Sequence, residues 1–321
     1  MTAEGGALRL RPSHILKLQD CARAYQLQYV DGIRPKNQSI NLYFGTALHH
    51  VYERIVKHDY KGMAYDPASD FEAILRTEVA GKTPSYPKGF SFESYLEMGK
   101  VLCQDFQAKW PRLGLHPLVD DLGEPITELR LKAPLGQGVE LTGTIDLPCL
   151  NRDMQTVVID YKTARSPANP RFVYVSDQLT AYQILLDANA DEIGISPVSK
   201  LGFIEALKRK VPKNGASRGT GPYVEEACFA PRRTAREIAD FKKMVLWYAE
   251  MIRKGHFPRT ARMGFNTPCA MCDFAGLCID GDTSGLIVPS QFGVGTDIQV
   301  SVSRKATKRP TKRRKPACVA L

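Results

Sequence analysis

The spacing of apolar residues divides the chain into a helical first third, a strand-rich middle and a helix-led final stretch. Residues 12–27 read as a helix with Ser13 as its N-cap and Cys21 at a bend within it. After a turn at Asp31-Gly32, the pair Gly45-Thr46 introduces a second helix over 47–58, where Leu48, Val51, Tyr52, Ile55 and Val56 recur at helical spacing. The helical pattern continues to Trp110, interrupted by a loop over 81–87. From Pro125 the period shortens, and strands are predicted over 126–132, 139–147 and 156–162. A helix over 175–190 follows, then strands over 201–206 and 223–229 around a polar loop at 208–221, then a long helix over 234–254. Past Asp280 the chain becomes Gly- and Ser-containing and then basic, the pattern of a weakly ordered terminus. No internal repeat interrupts this order.

Composition changes the picture in three ways. A chain of 321 residues with 43% apolar content can bury one large core or two modest ones. It has no apolar run of 18 residues, and its start lacks the charged and apolar regions of a secretory signal. The expectation is a cytoplasmic protein without a membrane partner. The net charge of +10 is concentrated: residues 304–315, RKATKRPTKRRK, carry eight basic and no acidic groups, which leaves +2 for everything else. Such a block binds phosphate polymers without sequence preference or is simply a solvated terminus.

The candidate chemistry lies in the middle strands. Val157-Val158-Ile159-Asp160-Tyr161-Lys162-Thr163 presents a carboxylate and an amine two residues apart, hence on one face of a strand. Gly143-Thr144-Ile145-Asp146 brings a second acid to another strand end, and paired carboxylates suit a hard ion such as Mg²⁺. In isolation an Asp/Lys pair at a strand end is more often a solvated surface pair. His49 can offer a neutral imidazole to a metal, with Glu53 one turn further on the same face and His50 about 100° away around the helix; a partly buried structural histidine is the alternative. Gln178 and Tyr182, four apart on the following helix, can reach one point, where an amide and a phenol suit a phosphate or a lysine.

Of eight cysteines, Cys103, Cys149, Cys228 and Cys318 stand alone and read as small buried apolar residues. Cys269-x2-Cys272-x5-Cys278 is a cluster, and Cys21, which also follows a helix, is the natural fourth thiolate. Structural zinc more often uses two close pairs. Three close thiolates and one distant one suit a [4Fe–4S] cluster; spacing leaves both open. If Cys21 takes part, the cluster staples the N-terminal helix to the C-terminal segment.

His49 in G-T-x-x-H, Asp146 in G-x-I-D, Asp160 and Lys162 in D-x-K, and Gln178 and Tyr182 in Q-x3-Y follow one another between an early cysteine and a late C-x2-C-x5-C. In that order, over about residues 12–280, the chain resembles the RecB-like branch of the PD-(D/E)XK nuclease superfamily, and within it the iron–sulfur members: the AddB nuclease domain, the CRISPR-adaptation exonucleases and their phage relatives. The resemblance implies an α/β, restriction-endonuclease-like core whose central mixed sheet is flanked by helices, with an N-terminal helical region and a C-terminal iron–sulfur closure. The implied domain spans 1–280, with a helical insertion at about 59–124 and a cluster-binding segment at 265–280; a basic tail occupies 281–321.

By the same resemblance, His49, Asp146, Asp160 and the Tyr161 carbonyl hold Mg²⁺ or Mn²⁺, and Lys162 orients or activates the attacking water. Gln178 and Tyr182 stand beside the scissile phosphate. Cys21, Cys269, Cys272 and Cys278 hold the cluster, with zinc as the alternative. The second acid is Asp rather than Glu, and Ile145 rather than Pro precedes Asp146. The implied activity is metal-dependent exonucleolytic cleavage of DNA, single-stranded by preference, in repair, recombination or phage or CRISPR DNA processing. A non-catalytic nucleic-acid-binding recombination accessory of the same fold is the alternative. No G-x-x-x-x-G-K-[ST] occurs, so unwinding would fall to a separate helicase or recombination protein.

Overall fold

The structure is a computed structural model that describes residues 7–212, 221–260 and 267–290. Strand β1 (Leu8–Leu10) leads into α1 (Pro12–Asp20). Pro12 occupies the first helical position, where its missing N–H costs nothing, so Arg11 rather than Ser13 is the N-cap. Cys21 is extended, at φ −165°, and ends the helix; α2 (Ala22–Tyr25) resumes it and runs into a π-helical turn over Gln26–Val30. After β2 (Arg34–Pro35), helix α3 (Ile40–Tyr60) begins seven residues before residue 47, where the sequence places it. Ser39 caps it by accepting from the Asn41 amide, and Ile40, Tyr43 and Phe44 bury its first turn. Gly45 is interior to the helix: tertiary burial outweighs its low propensity.

Helices α4 (Pro67–Val79) and α5 (Phe92–Lys109) pack against α3 and each other, and β3 (His116–Pro117) follows. Strand β4 (Leu129–Gly136) starts later than the expected 126, because Glu128 adopts a left-handed backbone at φ 51°. The strand expected over 139–147 divides at Asp146 into β5 (Val139–Ile145) and β6 (Leu147–Leu150), which belong to different sheets. Next come β7 (Thr156–Ala164), α6 (Phe172–Val175), α7 (Asp177–Ala188), α8 (Ala190–Ile193) and β8 (Lys200–Leu207). The expected strand at 223–229 is two short ones, β9 (Tyr223–Val224) and β10 (Cys228–Pro231). Helix α9 (Ala235–Arg253) opens on a capping box between Thr234 and Glu237; α10 (Ala275–Asp280) and β11 (Leu286–Ile287) complete the described chain.

One sheet runs β10-β8-β7-β6-β3 with β9 beside β8, and a second runs β1-β5-β4. The β7–β8 and β1–β5 pairs are parallel and the others in these sheets antiparallel, so the whole is a curled mixed sheet flanked by helices. Strand β7 is sandwiched. Its Val157, Ile159 and Tyr161 join the core made with α3, α4 and α5, whereas Val158 joins the core made with α7 and α9. A satellite core of Ala24, Leu27, Ile33, Phe274, Leu277 and Leu286 ties the N-terminal helices to α10, and β11 pairs with β2. The segment 59–124 shares the first core with β6 and β7. The basic run and Cys318 lie outside the described residues. Among the described residues, no helix is long and apolar enough to cross a membrane.

Candidate active site

The period of β7 dictates where its chemistry goes. Tyr161 points into the α3–α5 core, with its ring centroid 5.2 Å from Tyr52 and 5.6 Å from Phe106, so Asp160 and Lys162 face the opposite way, toward α7. Asp146 sits at the corner where the chain leaves one sheet for the other, and it is 7% exposed. Its Oδ2 accepts the Tyr161 backbone N–H at 2.8 Å, supplying the partner that β6 does not. The glycine of the G-x-I-D motif has a packing role: a Cβ on Gly143 would meet Leu185 Cδ1 at 2.7 Å and Tyr182 Cε1 at 3.7 Å, so its absence lets α7 lie close against β5.

Helix α3 delivers His49 to this corner. Its Nε2 lies 3.1 Å from the Tyr161 carbonyl oxygen, and its Nδ1 is 3.5 Å from Asp146 Oδ2 and 3.9 Å from Glu128 Oε1. One ligand atom each from His49, Glu128 and Asp146 falls within 4.8 Å of the others, a grouping that could hold a metal ion. Glu128 is the member that sequence reasoning missed. The antiparallel register that pairs Leu129 with Ile145 carries Glu128 to Asp146, and the Glu128 N–H donates to the Asp146 carbonyl at 3.0 Å. A carboxylate beside the open end of the β4–β5 hairpin was its only signal. Glu53, the expected companion of His49, is instead engaged by Lys57 at 2.6 Å and Thr127 at 2.7 Å, and His50 is half exposed.

Asp160 belongs to an adjoining network rather than to that group of three. Its Oδ1 accepts from Gln178 Nε2 at 2.7 Å, and the same amide nitrogen lies 2.8 Å from the Tyr182 hydroxyl. Lys162 Nζ donates to Gln178 Oε1 at 2.8 Å and lies 2.5 Å from Asp160 Oδ2. That second carboxylate oxygen is buried, and the lysine meets it in ion-pair rather than well-aligned hydrogen-bond geometry, so a buried acceptor stays under-satisfied. Burial first, and the Asp160 charge second, push Asp146 up to about 7, against the opposing pull of His49 and the Tyr161 N–H. Burial works against the imidazolium of His49, yet Glu128, Asp146 and Asp160 together raise it above its ordinary value. Burial and the same two aspartates hold the Tyr182 phenol protonated. Anionic groups crowded in a buried corner with an under-satisfied oxygen fit a bound divalent cation.

The cysteine set meets in a second place. Cys21, Cys269, Cys272 and Cys278 all line one cavity of about 530 Å³, together with Lys17, Leu27 and Phe274. Cys269 lies in a 3₁₀ turn over Pro268–Met271, Cys272 follows it, and Cys278 is on α10. All are free thiols. Burial opposes ionisation of Cys21, but amide N–H groups of Thr260, Ala24 and Arg23 bring it below the ordinary thiol value; burial raises Cys272. Cys103 and Cys149 are buried, as expected of isolated cysteines, whereas Cys228 is only half-buried.

Comparison with known proteins follows the same lines. The sequence family described as the PD-(D/E)XK nuclease superfamily matches residues 9–279. No curated protein matches. Among solved structures, that of SSO0001 is similar at 13% identity and a TM-score of 0.36, covering 87% of this chain and 88% of its own. A candidate exonuclease from Eubacterium rectale is similar at 8% identity and a TM-score of 0.45, covering 78% of this chain and 83% of its own.

Proposed function

This chain belongs to the PD-(D/E)XK nuclease superfamily, and from that premise we propose that it is a Mg²⁺- or Mn²⁺-dependent DNA exonuclease that prefers single strands. The observation that carries the proposal is the group of His49, Glu128 and the buried Asp146 abutting the Asp160, Lys162 and Gln178 network. His49, Asp146, Asp160 and the Tyr161 carbonyl, with Glu128 added, are the residues that would hold the ion. A divalent ion there supplies charge to the non-bridging phosphate oxygens and acidifies a water. Lys162 brings an ammonium to the place where negative charge develops, and Gln178 fixes its position. Tyr182 keeps its proton and so can donate to a phosphate oxygen.

The proposal extends to the RecB-like, iron–sulfur branch. Four thiols around one cavity suit a thiophilic group. The ground for preferring the [4Fe–4S] unit is the pattern of three close thiolates and one distant one, where structural zinc more often uses two close pairs. Residues 1–280 would form one domain closed by this staple. The partner would be DNA, with unwinding left to a separate helicase or recombination protein in repair, recombination or phage or CRISPR processing.

The test is digestion of end-labelled single- and double-stranded DNA by anaerobically purified protein. Release of nucleotides from single strands that EDTA stops and Asp160→Ala abolishes is the expected result. DNA binding without metal-dependent hydrolysis would overturn the nuclease proposal in favour of the non-catalytic accessory.

A further inference from the structure

A basic groove leads away from the candidate metal centre. Its near end is lined by His49, Glu128 and Arg130. Arg130 also lines a second hollow with Arg11 and Thr142, and those two continue into a third with His14, Tyr29 and Lys132. The three hollows share walls and run across the outer face of the β4–β5 pair.

Register explains why the charges collect there. Arg130 lies opposite Thr144 and Lys132 opposite Thr142, and both cations are exposed, while Leu131 and Ala133 turn toward the core. Arg130 and Lys132, two apart on a strand, stand about 7 Å from each other, a step comparable with that between phosphates of an extended single strand. Arg9 is neutralised by Glu140 at 3.0 Å. Arg11, Arg130 and Lys132 have no ion-pair partner among the described residues, so the groove holds uncompensated positive charge. At its far end the His14 and Tyr29 rings lie 4.3 Å apart, with Tyr29 37% exposed. Burial and the nearby Arg11 lower His14 to about 4, so this end offers a neutral aromatic surface.

We propose that this groove carries a single-stranded polynucleotide away from the metal centre. Arg130, Arg11 and Lys132 take successive backbone phosphates, and Tyr29, backed by His14, stacks an unpaired base. The inference rests on the nuclease reading for its orientation. A single strand is the occupant because base stacking on an exposed ring requires a free base face, which a duplex interior does not offer.

The test uses the full chain with Ca²⁺ replacing Mg²⁺, and labelled oligothymidylates of graded length titrated at several salt concentrations. Arg11→Glu combined with Lys132→Glu should lower the slope of log K against log salt by about 1.4, at about 0.7 per phosphate contact. Arg11→Lys combined with Lys132→Arg should restore the slope, and melting temperatures of all variants verify folding. Tyr29→Ala should weaken binding roughly tenfold, within the range for base–aromatic stacking. Unchanged slopes in the charge-reversed protein, with a wild type that binds and cleaves, overturn the groove and leave the nuclease standing. A wild type that binds with this slope but never cleaves in Mg²⁺ or Mn²⁺ keeps the groove and removes the nuclease. Equal affinity for a duplex of the same length, lost equally in the variants, overturns the single-strand assignment.

Discussion

Asp146→Asn isolates the electrostatic cost of the candidate metal centre. The replacement keeps an oxygen to accept the Tyr161 N–H at 2.8 Å but removes a charge that is 7% exposed and repelled by Asp160. A carboxyl whose folded-state pKa is raised binds its proton more tightly in the folded state. It therefore destabilises the fold increasingly as pH rises from its ordinary value toward the folded one, and by a constant amount above that. Carrying Asp146 from 3.8 to about 7 at 1.36 kcal/mol per pH unit gives roughly 4 kcal/mol above neutrality. Accommodating an amide next to His49 takes back part of this, so the metal-free variant should be about 1–3 kcal/mol more stable than wild type at pH 8. At about 2 °C per kcal/mol for a chain of this size, that is roughly 2–6 °C in melting temperature. Scanning fluorimetry in EDTA measures it, and the gap should fall to less than half by pH 5. Added Mg²⁺ should then stabilise wild type, by about 2.7 kcal/mol at a hundred times its dissociation constant, and leave the variant unmoved. A variant less stable than wild type in EDTA at pH 8, or a gap indifferent to pH, would refute the account of a corner strained by its own charge.

Further expectations are separable from that one. Asp160→Ala and Lys162→Ala should each slow single-turnover cleavage by about a thousandfold or more with DNA affinity kept within a few-fold, and wild-type rates in both would assign the activity to a contaminant. Glu128→Gln should raise the Mg²⁺ concentration needed for half-maximal rate by about tenfold or more, and an unchanged metal titration would exclude Glu128 from the metal's surroundings. Cys272→Ser should lose iron and sulfide and loosen the contact between α10 and the N-terminal helices; stoichiometric zinc without iron in anaerobic wild type would remove the cluster but keep the staple. Deleting residues 304–321 should lower the salt slope of DNA binding by roughly 3 if half of the eight cations contact phosphates, whereas superimposable slopes would show that the tail does not engage DNA.

What the sequence made legible, and what it hid, divides by the range of the interaction that decides each element. Strand β7 is legible as an apolar run, and helices α7 and α9 by ends set locally, at Ser176 and Thr234; the strand and helix periods then place the side chains within each. The i, i+4 pair of Gln178 and Tyr182 and the i, i+2 pair of Asp160 and Lys162 follow from those periods alone, and the structure brings all four side chains into one network. Gly45 resembles a start signal and so hides the true start of helix α3, which the burial of Ile40, Tyr43 and Phe44 in the core shared with α4 and α5 extends backward. Ser13 lost its expected role to a proline one position earlier, a local rule outweighed by another local rule.

Glu128 was invisible for a different reason. It lies between a loop and a strand in a backbone conformation unfavourable to a non-glycine residue, so no periodic signal marks it, and its value depends on the register that brings it to Asp146. That register is itself tied to the division of the expected 139–147 strand. Because the chain changes sheets at Asp146, β6 cannot supply a partner for the Tyr161 amide, and the Asp146 carboxylate does so instead. The same bond turns the carboxylate toward His49, and the Tyr161 carbonyl, on the same edge of β7 as its N–H, lies within reach of the imidazole. The corner that interrupts the strand pattern is therefore what gathers the donors, and a sequence reading that extends the strand through Asp146 conceals the feature that makes the site.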